Sequence, residues 1–195
     1  MKLTVRTVRP AAAATAVLSA ALVIPSVAQA APAVRSSAAV VARITAPKPF
    51  RAAAMSWPSG QRGWLLGSAP CGKKSCADVL ATSNGGKSWS AAGMVGTPIA
   101  TQATPSDVGV SEVTFINSSV GWAYGPALFR TVSGGRSWKA MTIPGKGHQV
   151  LALASSSAAT YAVVSPCKEF APTCSGKLSF WRTSSQTGTS WTASR

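Results

Sequence analysis

TSNGGKSW occupies residues 82–89, and TVSGGRSW occupies 131–138, forty-nine positions further on. Neither copy holds a carboxylate, a histidine or a cysteine, so the phrase supplies no acid, base or strong metal ligand. Each copy does hold a glycine pair, Gly85-Gly86 and Gly134-Gly135, and glycine enters the positive-φ conformations of a tight hairpin without steric cost. Asn84 and Ser133 stand just before the pairs, with short side chains suited to hydrogen-bonding turn backbone. Trp89 and Trp138 follow and open the next strand with a large apolar surface. The phrase therefore reads as a turn that a repeated fold needs more than once. A ligand pocket would need a converging polar cluster, which is missing here.

The likeness extends upstream. MSWPSGQRGWLLG (55–67) precedes the first phrase and VTFINSSVGWAYG (113–125) the second, each with an alternating apolar stretch, a polar turn and a Gly-Trp pair. A looser third copy runs from VLALASSSAATYAVV (150–164) to LSFWRTSSQTGTSW (178–191), with Thr160-Tyr161 in place of Gly-Trp. Self-similarity at this period marks a repeat architecture. Each unit holds about four short β-rich runs broken by Gly, Ser, Asn and Pro, and no stretch has helical periodicity. Four antiparallel strands per unit is a propeller blade, so the expected fold is all-β, with blades over about 50–99, 108–147 and 148–195.

The phrases TSNGGKSW and TVSGGRSW, and more loosely SSQTGTSW (184–191), resemble the Asp-box of bacterial neuraminidase repeats, Ser/Thr-x-Asp-x-Gly-x-Ser/Thr-Trp. With GWLLG and GWAYG upstream, residues 50–195 look like blades of secreted proteins related to sialidase-like propellers and the photosystem II assembly factor. The resemblance implies that Thr82, Asn84, Gly86 and Trp89 form one box, Thr131, Ser133, Gly135 and Trp138 a second, and Ser184, Gln186, Gly188 and Trp191 a third. It assigns these residues to turns remote from catalysis. The sequence departs from the pattern at the Asp position, held here by Asn84, Ser133 and Gln186, so no role needing a charge is implied there.

The cysteines fit the same map. Cys71 and Cys76 fall between the second and third strands of the first blade, and Cys167 and Cys174 at the matching place in the third. Four cysteines permit three connectivities, and the repeat favours Cys71–Cys76 and Cys167–Cys174. Such short loops lose little entropy on closure, so each bridge adds about 1–2 kcal/mol. The spacing differs from the paired C-x2-C of common zinc sites, and no metal or other cofactor is expected.

Enzyme chemistry has little to work with. After the first thirty residues the carboxylates are Asp78, Asp107, Glu112 and Glu169. Glycoside hydrolysis, the activity the resemblance raises, generally needs two carboxyl groups facing each other across a sugar; Asp107 and Glu112 are the pair to inspect. Arg43-Ile44 is followed by Thr45, not by the proline of the sialidase Arg-Ile-Pro motif. His148, in a Gly-rich turn, is the only histidine and has no acid nearby in sequence to complete a triad. Phosphate-loop and dinucleotide motifs are missing. Five of the seven tryptophans occupy repeat positions, which leaves Trp57 and Trp181 as the ones to consider for ligand contact.

The N-terminus has the layout of a secretory signal: Lys2, Arg6 and Arg9, an apolar run from Ala11 to Ile24, and small residues Ala28 and Ala30 before an expected cleavage after Ala30. An anchor helix is the alternative, but the run is short, Ala-rich and closed by Pro25. Residues 31–49, rich in Ala, Pro and Ser, read as a flexible leader. Of 19 Lys and Arg only three lie in the signal, so the exported chain stays near +12. That charge attracts polyanions without conferring specificity, and Lys73, Lys74 and Lys168 in the cysteine loops are the anion contacts to expect. The expected partner is a protein or an anionic cell-envelope polymer; export argues against a specific intracellular nucleic acid. Three blades are fewer than the four to eight of a closed propeller. The expectation is a shortened propeller or a homodimer that closes a ring of six.

Overall fold

The computed structural model describes residues 43–47, 49–100, 108–156, 158–167 and 175–194. The expected signal peptide, most of the leader, and Asp107, Lys168, Glu169 and Cys174 lie outside these residues. The described chain is all-β: three sheets, each built from four consecutive antiparallel strands, form three blades of a β-propeller. The first blade comprises β2 (Arg51–Ser56), β3 (Gly63–Cys71), β4 (Lys74–Thr82) and β5 (Ser88–Met94), preceded by β1 (Arg43–Thr45). The second comprises β6 (Glu112–Phe115), β7 (Gly121–Tyr124), β8 (Leu128–Thr131) and β9 (Lys139–Met141). The third comprises β10 (Gln149–Ser155), β11 (Thr160–Ser165), β12 (Ser179–Thr183) and β13 (Trp191–Ala193).

β1 falls within the stretch whose composition reads as leader. It pairs parallel to β5, with Ile44 opposite Trp89. The outer strand of a blade presents unpaired backbone N–H and C=O groups, and a short run containing two β-branched residues satisfies them. The first sheet thus has five strands where the others have four.

Alternation along each strand sends successive side chains to opposite faces, and the apolar sets form two layers between blades. Trp64, Leu66, Ala77 and Val79 from the first blade meet Val113, Phe115 and Ala123 from the second. Trp122, Tyr124 and Leu128 from the other face of the second blade meet Val150, Ala162 and Val164 from the third. The core is therefore a pair of seams, and the blades stack through them.

The tip between β3 and β4 has an unexpected form. Cys71 and Cys76 are joined, as the repeat suggests, but they sit near the end of a hairpin whose strands run nine residues each to a two-residue turn. The bridge staples a paired ribbon, where the sequence suggests an open loop. Cys167 is also disulfide-bonded, and its expected partner Cys174 is outside the described residues.

Candidate functional site

The repeated turns are built from their own side chains. In the first, Thr82 Oγ1 accepts from Gly86 N at 3.1 Å and donates to Asn84 Oδ1 at 2.9 Å, while Asn84 Oδ1 also accepts from Ser88 N at 3.0 Å. In the second, Thr131 Oγ1 accepts from Gly135 N and Ser133 N, both at 3.1 Å, and Ser133 Oγ accepts from Ser137 N at 3.0 Å. Asn84 and Ser133 each accept the amide four residues on, which orders the turn with no carboxylate. Gly85, Gly86, Gly134 and Gly135 have φ of 68°, 82°, 69° and 94°, conformations that make glycine the fitting residue.

The third turn departs from the sequence alignment. Cross-strand register sets Thr82 and Thr131 opposite Trp89 and Trp138, since Ala81 pairs with Ser90 and Arg130 with Lys139. In the third blade Thr183, not Ser184, stands opposite Trp191. Thr183 is buried like Thr82 and Thr131, whereas Ser184 is exposed. The turn is one residue longer, so its hydrogen bonds differ. Thr183 Oγ1 accepts from Thr160 N at 2.9 Å, and Gln186 Nε2 donates to the Ser156 carbonyl. Gly188 N bonds the Ser185 carbonyl instead of a threonine hydroxyl.

The second turn also serves the neighbouring blade. Trp64 of the first blade stacks on Phe115 of the second, with ring centroids 4.0 Å apart and planes 7° from parallel. Its indole Nε1 donates to the Gly134 carbonyl, in the second blade's turn, at 3.0 Å. Phe115 completes the cluster edge-on to Trp138 at 6.0 Å, and its amide donates to Ser56 Oγ at 2.7 Å. A side chain at Gly93 would collide with the Gly135 and Arg136 carbonyls at 2.7 and 2.8 Å, so glycine there lets β5 approach that turn. The second seam repeats this plan with fewer bonds. Trp122 lies 5.6 Å from Trp191 and beneath the Arg130 guanidinium, but its buried Nε1 has no hydrogen-bond partner among the described residues.

Pairing identifies a further set of equivalents. Trp64, Trp122 and Tyr161 lie opposite Ala81, Arg130 and Arg182, and two pairs further along, on the same face, Leu66, Tyr124 and Val163 lie opposite Val79, Leu128 and Phe180. Trp64 and Trp122 are 2% and 0% exposed, but Tyr161 is 40%. Val79 and Leu128 are 0% and 1% exposed, but Phe180 is 56%. Tyr161, Val163 and Phe180 therefore form, with Ala152 and Ala154, an apolar depression of about 290 Å³ on the third blade's free face. This face is the principal candidate site.

Trp57 and Trp181, the two tryptophans outside the repeated positions, both have packing roles. Trp57 meets Trp89 edge-on at 5.7 Å, and Trp181 donates from Nε1 to Ser179 Oγ at 2.9 Å and joins the second seam. Trp57 nevertheless keeps 41% of its surface exposed.

The two described carboxylates, Asp78 and Glu112, are placed apart. Glu112 is exposed at the start of β6, beside Tyr124, whose phenol is held above its ordinary pKa first by burial and then by the Glu112 charge. Asp107 lies outside the described residues. Asp78 is buried, and desolvation lifts its carboxyl above the usual range, partly offset by the hydrogen bond from Val79 N. Alternation points Asp78 away from the second blade and Glu112 toward the third, so the apolar first seam separates them. These two do not form a dyad across one cleft. His148 is exposed, and among the described residues no three metal-ligating side chains cluster. Lys73 and Lys74 are exposed at the stapled hairpin tip, and Lys74 shares a shallow groove with Arg51, Ser68 and Ser75. No helix among the described residues is long and apolar enough to cross a membrane.

No known family profile matches the sequence. No curated protein matches it either. Among solved structures the chain is similar to YCF48 bound to D1 peptide, at 20% identity and a TM-score of 0.46, over 81% of this chain and 46% of that one. It is also similar to the GH74 enzyme of Niastella koreensis, at 12% identity and a TM-score of 0.39, over 73% of this chain and 30% of that one. The chain thus matches less than half the length of either neighbour.

Proposed function

We propose that this protein is an exported, non-catalytic propeller module of the neuraminidase-repeat type that acts as an interaction scaffold at the cell envelope. One observation carries the reading. The third blade retains the aromatic and aliphatic side chains that the first two bury in seams, and leaves them in solvent. Contiguous exposed apolar surface of this kind marks an interaction site. Export rests on the basic, apolar and small-residue sequence of residues 1–30.

A photo-crosslinking residue at Phe180 tests the scaffold reading, with the same residue at exposed Val132, on the second turn, as control. The reading expects a discrete adduct from Phe180 in the envelope fraction and none from Val132. Equal labelling at both positions, or none at Phe180, overturns it.

A second reading rests on the hairpin tip, where Lys73 and Lys74 are exposed above a groove that includes Arg51. Anionic cell-wall polymer is the fitting ligand. Retention on such a polymer should fall steeply with salt and drop further in a Lys73→Ala/Lys74→Ala variant. Salt-independent retention, or retention untouched by the double substitution, contradicts it.

A further inference from the structure

The first seam shows which side chains cover a blade's forward face. Trp64 is covered by Phe115, which lies opposite Gly121 so closely that a side chain there would strike its ring at 2.6 Å. The first blade has its own copy of that arrangement. Trp57 stands over Gly63 in the same way, with a collision at 2.2 Å, and meets Trp89 edge-on as Phe115 meets Trp138. Trp57 is therefore the first blade's Phe115. Met55, by the same register, corresponds to Val113, which is buried in the seam. Yet Met55 is 63% exposed and Trp57 41%.

The two ends thus carry the two halves of one interface. The forward face of the third blade presents Tyr161, Val163 and Phe180, the equivalents of Trp64, Leu66 and Val79. The rear face of the first presents Met55 and Trp57, the equivalents of Val113 and Phe115. We infer that a second copy of this chain occupies the third blade's face, docking its first blade there head to tail and repeating the seam found inside each chain. A rotation of 180° lets each copy be head and tail at once, which closes a ring of six blades, within the range of known propellers. The inference rests on the scaffold reading and names its partner.

The test is the molar mass of the full exported chain by light scattering at two salt concentrations, with Met55→Asp and Phe180→Asp variants. Both residues are exposed, so folding should survive, and circular dichroism verifies it. The expected masses are twice the monomer for the wild-type chain at both salts and one monomer for each variant. Mixing the two variants leaves one intact pairing, between the rear face of Phe180→Asp and the forward face of Met55→Asp, so the mixture should recover dimer. A monomeric wild-type chain overturns the inference. So does a dimer that persists in Met55→Asp, because that indicates two forward faces meeting each other. If the wild-type chain is monomeric while the Phe180 crosslinker still yields a discrete adduct of another mass, only the self-docking inference fails. If the crosslinker also yields nothing, the scaffold reading fails with it.

Discussion

The two seams follow one plan and are finished differently. In the first, a tryptophan stacks face to face on the next blade's phenylalanine and its N–H reaches the next blade's turn. In the second, the tryptophan meets Trp191, the equivalent of Trp138, at a tilt of 56°, and its buried N–H finds no acceptor among the described residues. The difference originates in the neighbouring blade, not in the tryptophan: Ser155, opposite Thr160, takes the place that Phe115 holds opposite Gly121, and the turn differs as well. The second blade's turn presents the Gly134 carbonyl to Trp64, held by Thr131 and Ser133, whereas the third blade's longer turn has committed Thr183 to Thr160 and Gln186 to Ser156. The carbonyl of Gln186 in that longer turn accepts from Thr160 Oγ1, within its own blade, where the Gly134 carbonyl accepts from the blade behind.

Removing the stacked ring should have the largest effect. Trp64→Ala is expected to cost about 3–5 kcal/mol of unfolding free energy, the range for deleting a buried aromatic side chain. Tyr161→Ala, at the same repeat position in the third blade, should cost less than about 1 kcal/mol in monomer. Urea unfolding of both variants at a concentration that keeps the chain monomeric checks this; equal losses would mean the forward face of the third blade is already covered. The next effect isolates the N–H. Trp64→Phe should cost about 1 kcal/mol more than Trp122→Phe, because only the first deprives a carbonyl of its donor. A difference near zero would remove the Gly134 contact from the account.

Smaller effects separate the turns. Thr131→Val removes the acceptor of two turn amides and should cost about 1–2 kcal/mol, while Ser184→Ala should stay within about 0.5 kcal/mol. If Ser184→Ala is the more damaging of the two, the third turn starts where the aligned phrase suggests and not at Thr183. Smallest of all, Ser133→Asp sets a carboxylate against the Ser137 amide and should stabilise by a few tenths of a kcal/mol. Gln186→Asp should give no such gain, since the Gln186 side chain donates where an aspartate cannot. Melting temperatures of the two variants at pH 7 make the comparison.

Much of this architecture is legible in the sequence, and the limits have physical causes. The glycine pairs and the Gly-Trp dipeptides announce the turns and the blades because each meets a local steric demand. The third turn misleads because SSQTGTSW fits the eight-residue spacing of the repeat, while strand register, set by Thr183 opposite Trp191, admits one more residue. Trp57 looks unassigned because its equivalent is Phe115, a different residue type, and only the pairing of each with a glycine exposes the match. β1 is illegible because three residues gain their strand character from a parallel partner more than forty positions away. As for function, the contrast between buried Trp64 and exposed Tyr161 depends on which blade stands in front of each, a relation no local pattern encodes.

The most direct test of the account is native-state hydrogen exchange on the chain, followed strand by strand while concentration is raised from monomer. The account predicts that amides of β3 and β4 are strongly protected throughout, and that those of β11 and β12 exchange faster in dilute solution and gain protection as the third blade's face is covered. Uniform protection of all three blades at the lowest concentration, unchanged on concentrating, would contradict it.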